Sequence, residues 1–113
     1  MDIEFCSRSL EKACNSEKEL IRRWGKHRGR TIGRRLQQLA AAETLKVMSA
    51  IPPAKLHPLK GRRAGQFAVD ADYPLRLILE PNQDPIPKLK DGGIDLANVT
   101  KIKITEVVDY HGD

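Results

Sequence analysis

The sequence predicts an α+β fold: an N-terminal strand and two to three helices packed on a small antiparallel-dominated sheet, in the order β-α-α-β-β-β. Two observations carry this. Apolar residues recur at helical spacing through the first half of the chain, and from Leu56 onward the period changes to two. The helical stretches therefore come as a block before the main strands, which makes them one layer laid against a sheet. A chain of 113 residues is long enough for one compact domain, 1–113, and no internal repeat divides it.

Residues 2–6 (D-I-E-F-C) alternate, with Ile3 and Phe5 on one face, and read as a short strand. Ser7 or Ser9 can cap a short helix near 8–14 whose apolar side is Leu10, Ala13 and Cys14. Asn15-Ser16 interrupts the pattern. Glu17 and Glu19 then suit the positive N-terminal end of a second helix near 16–24, which carries Leu20, Ile21 and Trp24. Gly25 ends or kinks it. Residues 26–42 form the long helix, with Ile32, Leu36, Leu39 and Ala40 as its buried stripe. A short helical stretch, 43–49, carries Leu45 and Met48. It stops at Ile51-Pro52-Pro53, because prolines supply no backbone donor.

In the second half, Gln66–Asp72 places Phe67, Val69 and Ala71 on one face, and Asp72-Tyr73-Pro74 turns the chain. Leu75–Glu80 places Leu75, Leu77 and Leu79 on one face and Arg76 with Ile78 on the other. Residues 81–100 hold three prolines and Gly92-Gly93 and form a long loop between the last two strands, either a binding element or a mobile one. Lys101–Tyr110 is the last strand. Within it Glu106 falls on the same nominal face as Ile102, Ile104 and Val108, which is odd for a buried face. A bulge near 105–106 would re-phase the strand, and bulges occur beside active sites.

The net charge of +5 and a pI near 9.4 point to a polyanionic partner. The charge is concentrated. From Arg22 to Arg35 lie seven cations, Arg22, Arg23, Lys26, Arg28, Arg30, Arg34 and Arg35, with His27 and no acid. No intramolecular i,i+4 pair can form within that run, so phosphate contact becomes the more credible use of it. Aromatic content of only 4% makes the core mainly aliphatic and argues against a general base-stacking nucleic-acid module. Cys6 and Cys14 have neither C-x-x-C nor zinc spacing and read as reduced thiols. There is no secretory h-region and no apolar run near the ~18 residues of a membrane span, so the expected location is the cytoplasm.

Three stretches carry reactive groups. L-H-P-L-K-G (56–61) sets His57 and Lys60 about Pro58, which holds the preceding backbone extended. Arg76 interrupts the apolar strand L-R-L-I-L and requires either an open sheet face or an acidic partner. The chain closes on Asp109, Tyr110 and His111. In a regular strand Asp109 and His111 would point to one face and Tyr110 to the other. A metal site from His57, His111 and Asp109 lacks a ligand pair on one element, and none is expected.

In order, the set is L-H-P-L-K-G, G-Q-F-A-V-D, Y-P-L-R-L-I-L-E-P and I-T-E-V-V-D-Y-H. It resembles the RelE/ParE superfamily of toxins, most closely the HigB-like branch, the plasmid-maintenance killer proteins. The resemblance implies a toxin of a toxin–antitoxin system that cuts translated mRNA on the ribosome without a cofactor. It also implies a helix-turn-helix antitoxin of the HigA type as partner, in a possible heterotetramer. Carried over by position, His57, Lys60, Arg76, Asp109 and His111 would be catalytic. Tyr110, Arg62 and Arg63 would hold substrate, and the basic 22–35 run would meet ribosomal RNA or the antitoxin. ParE-like relatives share the fold but act on DNA gyrase without cutting RNA, which is the competing expectation. The 81–100 segment departs from compact relatives, which join these strands by a tight turn.

Overall fold

The computed structural model describes residues 1–109. Among these, the strands are β1 (Asp2–Phe5), β2 (His57–Pro58), β3 (Phe67–Asp70), β4 (Leu75–Pro81) and β5 (Lys101–Asp109). The helices are α1 (Arg8–Cys14), α2 (Glu17–Trp24), α3 (Lys26–Ala41) and α4 (Leu45–Met48). Single 3-10 turns stand at Pro52–Ala54, Gly61–Arg63 and Leu96–Asn98.

The α+β expectation holds, with corrections in detail. Among the described residues there are four helices, the last a single turn; they fall on the four helical stretches read from the sequence, where the overall layer was expected to hold two to three. His57-Pro58, expected to be extended but not counted as a strand, pairs with Ala68 and Phe67 and adds an edge strand, so the sheet of the described residues has five strands in the order β1-β5-β4-β3-β2. The β1–β5 pairing is parallel and the others antiparallel.

Local chemistry explains the helix boundaries. Ser7, Ser16 and Thr44 each accept a hydrogen bond from a backbone N–H in the first turn of α1, α2 and α4, which satisfies a donor the helix itself cannot. Gly25 closes α2 by donating its N–H to Ile21 O at 2.8 Å, at φ 91°, a conformation glycine adopts without steric cost. The chain doubles back there, and α3 lies against α2 at Gly29.

The helices cover one face of the sheet. Ile32, Leu39, Leu45 and Met48 pack there with Val69, Leu77, Leu79, Ile102 and Ile104, all essentially inaccessible to solvent. The α3 stripe is rotated from expectation. Leu36 is half-buried and Ala40 exposed, while Thr31 and Arg35 are buried. The cause is the sheet edge. Leu36 and Ala40 look toward β1, where with Ile3, Phe5 and Leu20 they line a groove of about 680 Å³ at the margin of the core.

Burial also separates the two thiols. Cys6 is exposed and donates its S–H to Thr105 O at 3.0 Å, while Cys14 is buried. Burial pushes the Cys14 thiol up to about 11, partly offset by the nearby Arg23 cation. A thiol reagent at pH 8 is therefore expected to modify Cys6 and spare Cys14 in the folded protein, read by mass spectrometry. The sign for stability follows from the same shift. The unfolded thiol, at 9.0, loses its proton before the folded one, so the contribution of Cys14 to stability declines as pH rises from about 9 toward about 11.

The 81–100 segment is anchored at its base rather than loose. Gln83 Oε1 accepts from Thr100 N at 2.7 Å and Lys101 N at 3.2 Å, and its amide donates to Asn98 O at 3.3 Å. Val99 is fully buried, and its carbonyl receives Leu45 N at 3.1 Å. Its outer part, including Leu89, is exposed.

Candidate active site on the open face of the sheet

The antiparallel register decides which side chains share the face away from the helices. His57, Ala68, Ile78 and Glu106 stand side by side across β2, β3, β4 and β5. Asp70, Arg76 and Val108 form the next row. In β5 the bulge suggested by the sequence is present. Ile78 pairs with Glu106 but Leu79 pairs with Ile104, leaving Thr105 over. Thr105 Oγ1 donates to Ile78 O at 3.2 Å, and the Cys6 thiol donates to the Thr105 carbonyl, so side chains from two neighbouring strands hold the extra residue. The bulge turns Glu106 away from Ile102 and Ile104 and onto the Arg76 face. Val107 takes its place beside the core.

Arg76 has the acidic partner its position required. Its Nε lies 3.1 Å from Asp70 Oδ1, with both side chains about three-quarters buried. That oxygen accepts no hydrogen bond among the described residues despite the short separation, so the contact is coulombic rather than a directed bond. Asp70 is also held from beneath. Arg35, buried in α3, donates through Nε to Asp70 O at 2.8 Å and through Nη1 to Gln38 Oε1 at 3.2 Å. Burial, then the neighbouring Arg34 charge, lower the Arg35 pKa, and the Asp70 carboxylate opposes them. Arg35 is thus a correction to the expected surface set. It ties α3 to β3 and is not displayed to a partner.

His57 is partly buried on the edge strand. Its Nδ1 lies 2.8 Å from Lys55 O. A carbonyl only accepts, so Nδ1 carries the proton, and in the neutral ring Nε2 is left as the acceptor, with no hydrogen-bond partner among the described residues. Lys55 has φ 47°, the one non-glycine residue in the left-handed region among those described, and this bend aims its carbonyl back at the ring. Lys60 and Arg62 are exposed on the turn that follows. Arg63 reaches across the face to Glu106, with Nη1–Oε1 at 2.5 Å.

The face therefore gathers His57, Arg63 and Arg76 from the expected set. It adds Asp70 and Glu106, which the sequence reading did not name as site residues. Asp70 was within reach of that reading: counting outward from the Asp72-Tyr73-Pro74 turn sets it opposite Arg76. Asp109 pairs with Leu75 and so stands at the end of β5 on the opposite face from Arg76. Tyr110 and His111 lie outside the described residues. Among the described residues no three His, Cys, Asp or Glu side chains gather closely enough to hold a metal ion.

The basic run is only partly unneutralised. Acids just outside it compensate: within α2, Arg22 pairs with Glu19 one turn earlier at 2.6 Å, and across the α2–α3 hairpin Arg30 pairs with Glu17 at 3.0 Å. Asp72, in the β3–β4 turn, approaches Arg28 at 3.8 Å and His27 at 3.6 Å. Arg23, Lys26 and Arg34 are exposed without an acid among the described residues, and Arg23 sits 5.1 Å from the Trp24 ring centroid. Neither His57 nor Arg76 lines the β1–α3 groove. The face carrying His57, Arg63 and Arg76 is an open, partly cationic surface, a shape that suits a polymer better than an enclosed small molecule.

The sequence matches no protein-family model and no curated protein sequence. Its structure is similar to that of a YoeB/ParE toxin from Agrobacterium tumefaciens, with a TM-score of 0.53 over 98% of this chain and all of that one. The two share 12% sequence identity, so the likeness is one of fold. No helix among the described residues is long and apolar enough to cross a membrane.

Proposed function

We propose that this protein is the toxin of a toxin–antitoxin pair and that it cuts translated mRNA, in the manner of HigB-like ribosome-dependent endoribonucleases. The observation that carries the reading is His57, with its Nε2 lone pair available, on the same sheet face as the Arg63 and Arg76 guanidinium groups. Cleavage of RNA through its own ribose requires three things. A base takes the 2′-OH proton, cations stabilise the charge on the pentavalent phosphorus, and an acid returns a proton to the departing 5′-oxygen. The products are a 2′,3′-cyclic phosphate and a 5′-hydroxyl. A histidine near neutrality serves either proton transfer. Arg76 and Lys60 supply charge and donors to the phosphoryl oxygens. On the strength of the family likeness, the closing D-Y-H adds His111 as a further proton-transfer group and Tyr110 as a stacking surface, while Asp109, paired with Leu75 on the opposite face from Arg76, is left out of the reaction. A HigA-like antitoxin would hold the protein inactive, and Arg23, Lys26 and Arg34 are the cations left for ribosomal RNA or that partner.

A second reading is a ParE-like toxin that binds a target such as DNA gyrase. It is favoured by the acids already set against Arg63 and Arg76, which suit a structural use of those cations. Induced expression in a bacterial host separates the two, with primer extension on a translated and an untranslated message. Growth arrest with new cuts only in the translated message, both lost in His111→Ala/Arg76→Ala, is the expected result. Arrest by both proteins with no cuts would remove the nuclease reading and favour the binding toxin.

A further inference from the structure

Ile78 lies on the open face, between Ala68 and Glu106, yet neither it nor Ala68 has any solvent exposure. The helices pack on the other face, so this cover comes from the open side. Among the described residues, Arg63 reaches along this side to Glu106, the neighbour of Ile78. It leaves the turn just after Lys60, touches Gln66 Oε1 at 3.3 Å and ends on Glu106. Glu106 is on this face only because Thr105 is looped out. In an unbulged strand its carboxylate would face the helices beside Ile102 and Ile104, and Arg63 would have no anchor on β5.

We infer that Glu106 is a positioning residue. Through Arg63 it clasps the segment carrying His57 and Lys60 down onto the sheet, so that these groups and Arg76 share one frame. The functional meaning of the clasp rests on the endoribonuclease reading; the clasp itself does not. An ion pair this exposed, 35% and 39% for the two side chains, adds little to global stability, so its effect is expected in the order of the segment it tethers. The inference also reassigns Arg63, expected from the sequence to hold substrate, to holding the segment.

The test compares wild type, Glu106→Gln and the exchanged pair Glu106→Arg/Arg63→Glu by amide hydrogen exchange and by single-turnover cleavage on programmed ribosomes. In Glu106→Gln, the amides of Leu59, Arg63 and Ala64, which bond within the segment, should exchange about three- to fivefold faster with β4 unchanged. The cleavage rate should fall in parallel while the KM for message holds, and the exchanged pair should restore both. Unchanged exchange in Glu106→Gln would overturn the clasp. Restored exchange without restored cleavage would overturn the positioning role and make Arg63 itself a phosphate ligand. A wild type that cuts nothing would fail the endoribonuclease reading, while the exchange data would still decide the clasp.

Discussion

Arg76→Ala is expected to slow message cleavage by about 100- to 1000-fold, the loss seen when one preorganised donor to a developing oxyanion is removed. The size follows from where the guanidinium sits. It is three-quarters buried in a central strand, its charge is permanent, and Asp70 and the strand itself limit its motion. A side chain so placed does not reorganise when charge develops beside it. Arg76→Lys keeps the charge but loses the planar fork, and should fall between wild type and alanine. The alanine variant also leaves the Asp70 carboxylate without its cation, at a cost of about 1–3 kcal/mol. Rates must therefore be compared below the variant's unfolding transition, monitored by circular dichroism. A folded Arg76→Ala protein that cuts within about tenfold of wild type would make Arg76 a structural cation only.

The largest expected effect on stability comes from one methyl group. A Cβ at position 29 would lie 2.7 Å from both the carbonyl carbon and oxygen of Leu20 and 2.8 Å from Ile21 N. These are backbone atoms of α2, so no rotamer change relieves the clash; the two helices must separate. Alanine is favoured over glycine in a helix by about 1 kcal/mol, but forcing extra volume into a close-packed contact costs about 1–3 kcal/mol, occasionally more. Here the backbone itself is struck, so the steric cost wins. Gly29→Ala should lose about 2 kcal/mol, read as a lower urea midpoint at unchanged slope. Gly33→Ala is the control. Its Cβ would meet only the Leu20 Cδ1 methyl at 3.3 Å, which can turn away, so the helical preference for alanine is left and its midpoint should equal or exceed that of wild type. If both variants behave alike, close approach at Gly29 is not what sets the α2–α3 distance.

The candidate site was legible in the sequence to different depths at different residues. Arg76 announced its need for a partner, because a guanidinium within L-R-L-I-L has few places to go. The partner, Asp70, required the hairpin register. Glu106 announced itself as out of phase, and the bulge at Thr105 resolves it. Arg35 gave no such signal. It reads as one more cation in a basic run, and only the rotation of α3 against β3 reveals that it is buried. The same run looked free of acids because Glu17, Glu19 and Asp72 lie outside it in sequence while approaching it in space.

By itself, the sequence determined the periods, the caps and the breaks. The helical half, the Ser7 cap, the break at Asn15-Ser16, the Gly25 reversal, the alternation of β3 and β4 and the stop at Pro52-Pro53 are all local. Each is decided by neighbours within a few positions. The tertiary structure alone decided what those elements meet: β1 parallel to β5, His57 admitted to the sheet edge, Glu106 turned onto the Arg76 face, and Arg35 spent on Asp70. The reason is physical. Strand pairing and ion pairing between distant segments depend on chain reversal, twist and packing summed over the whole fold, and a period read along one strand holds no record of its partner.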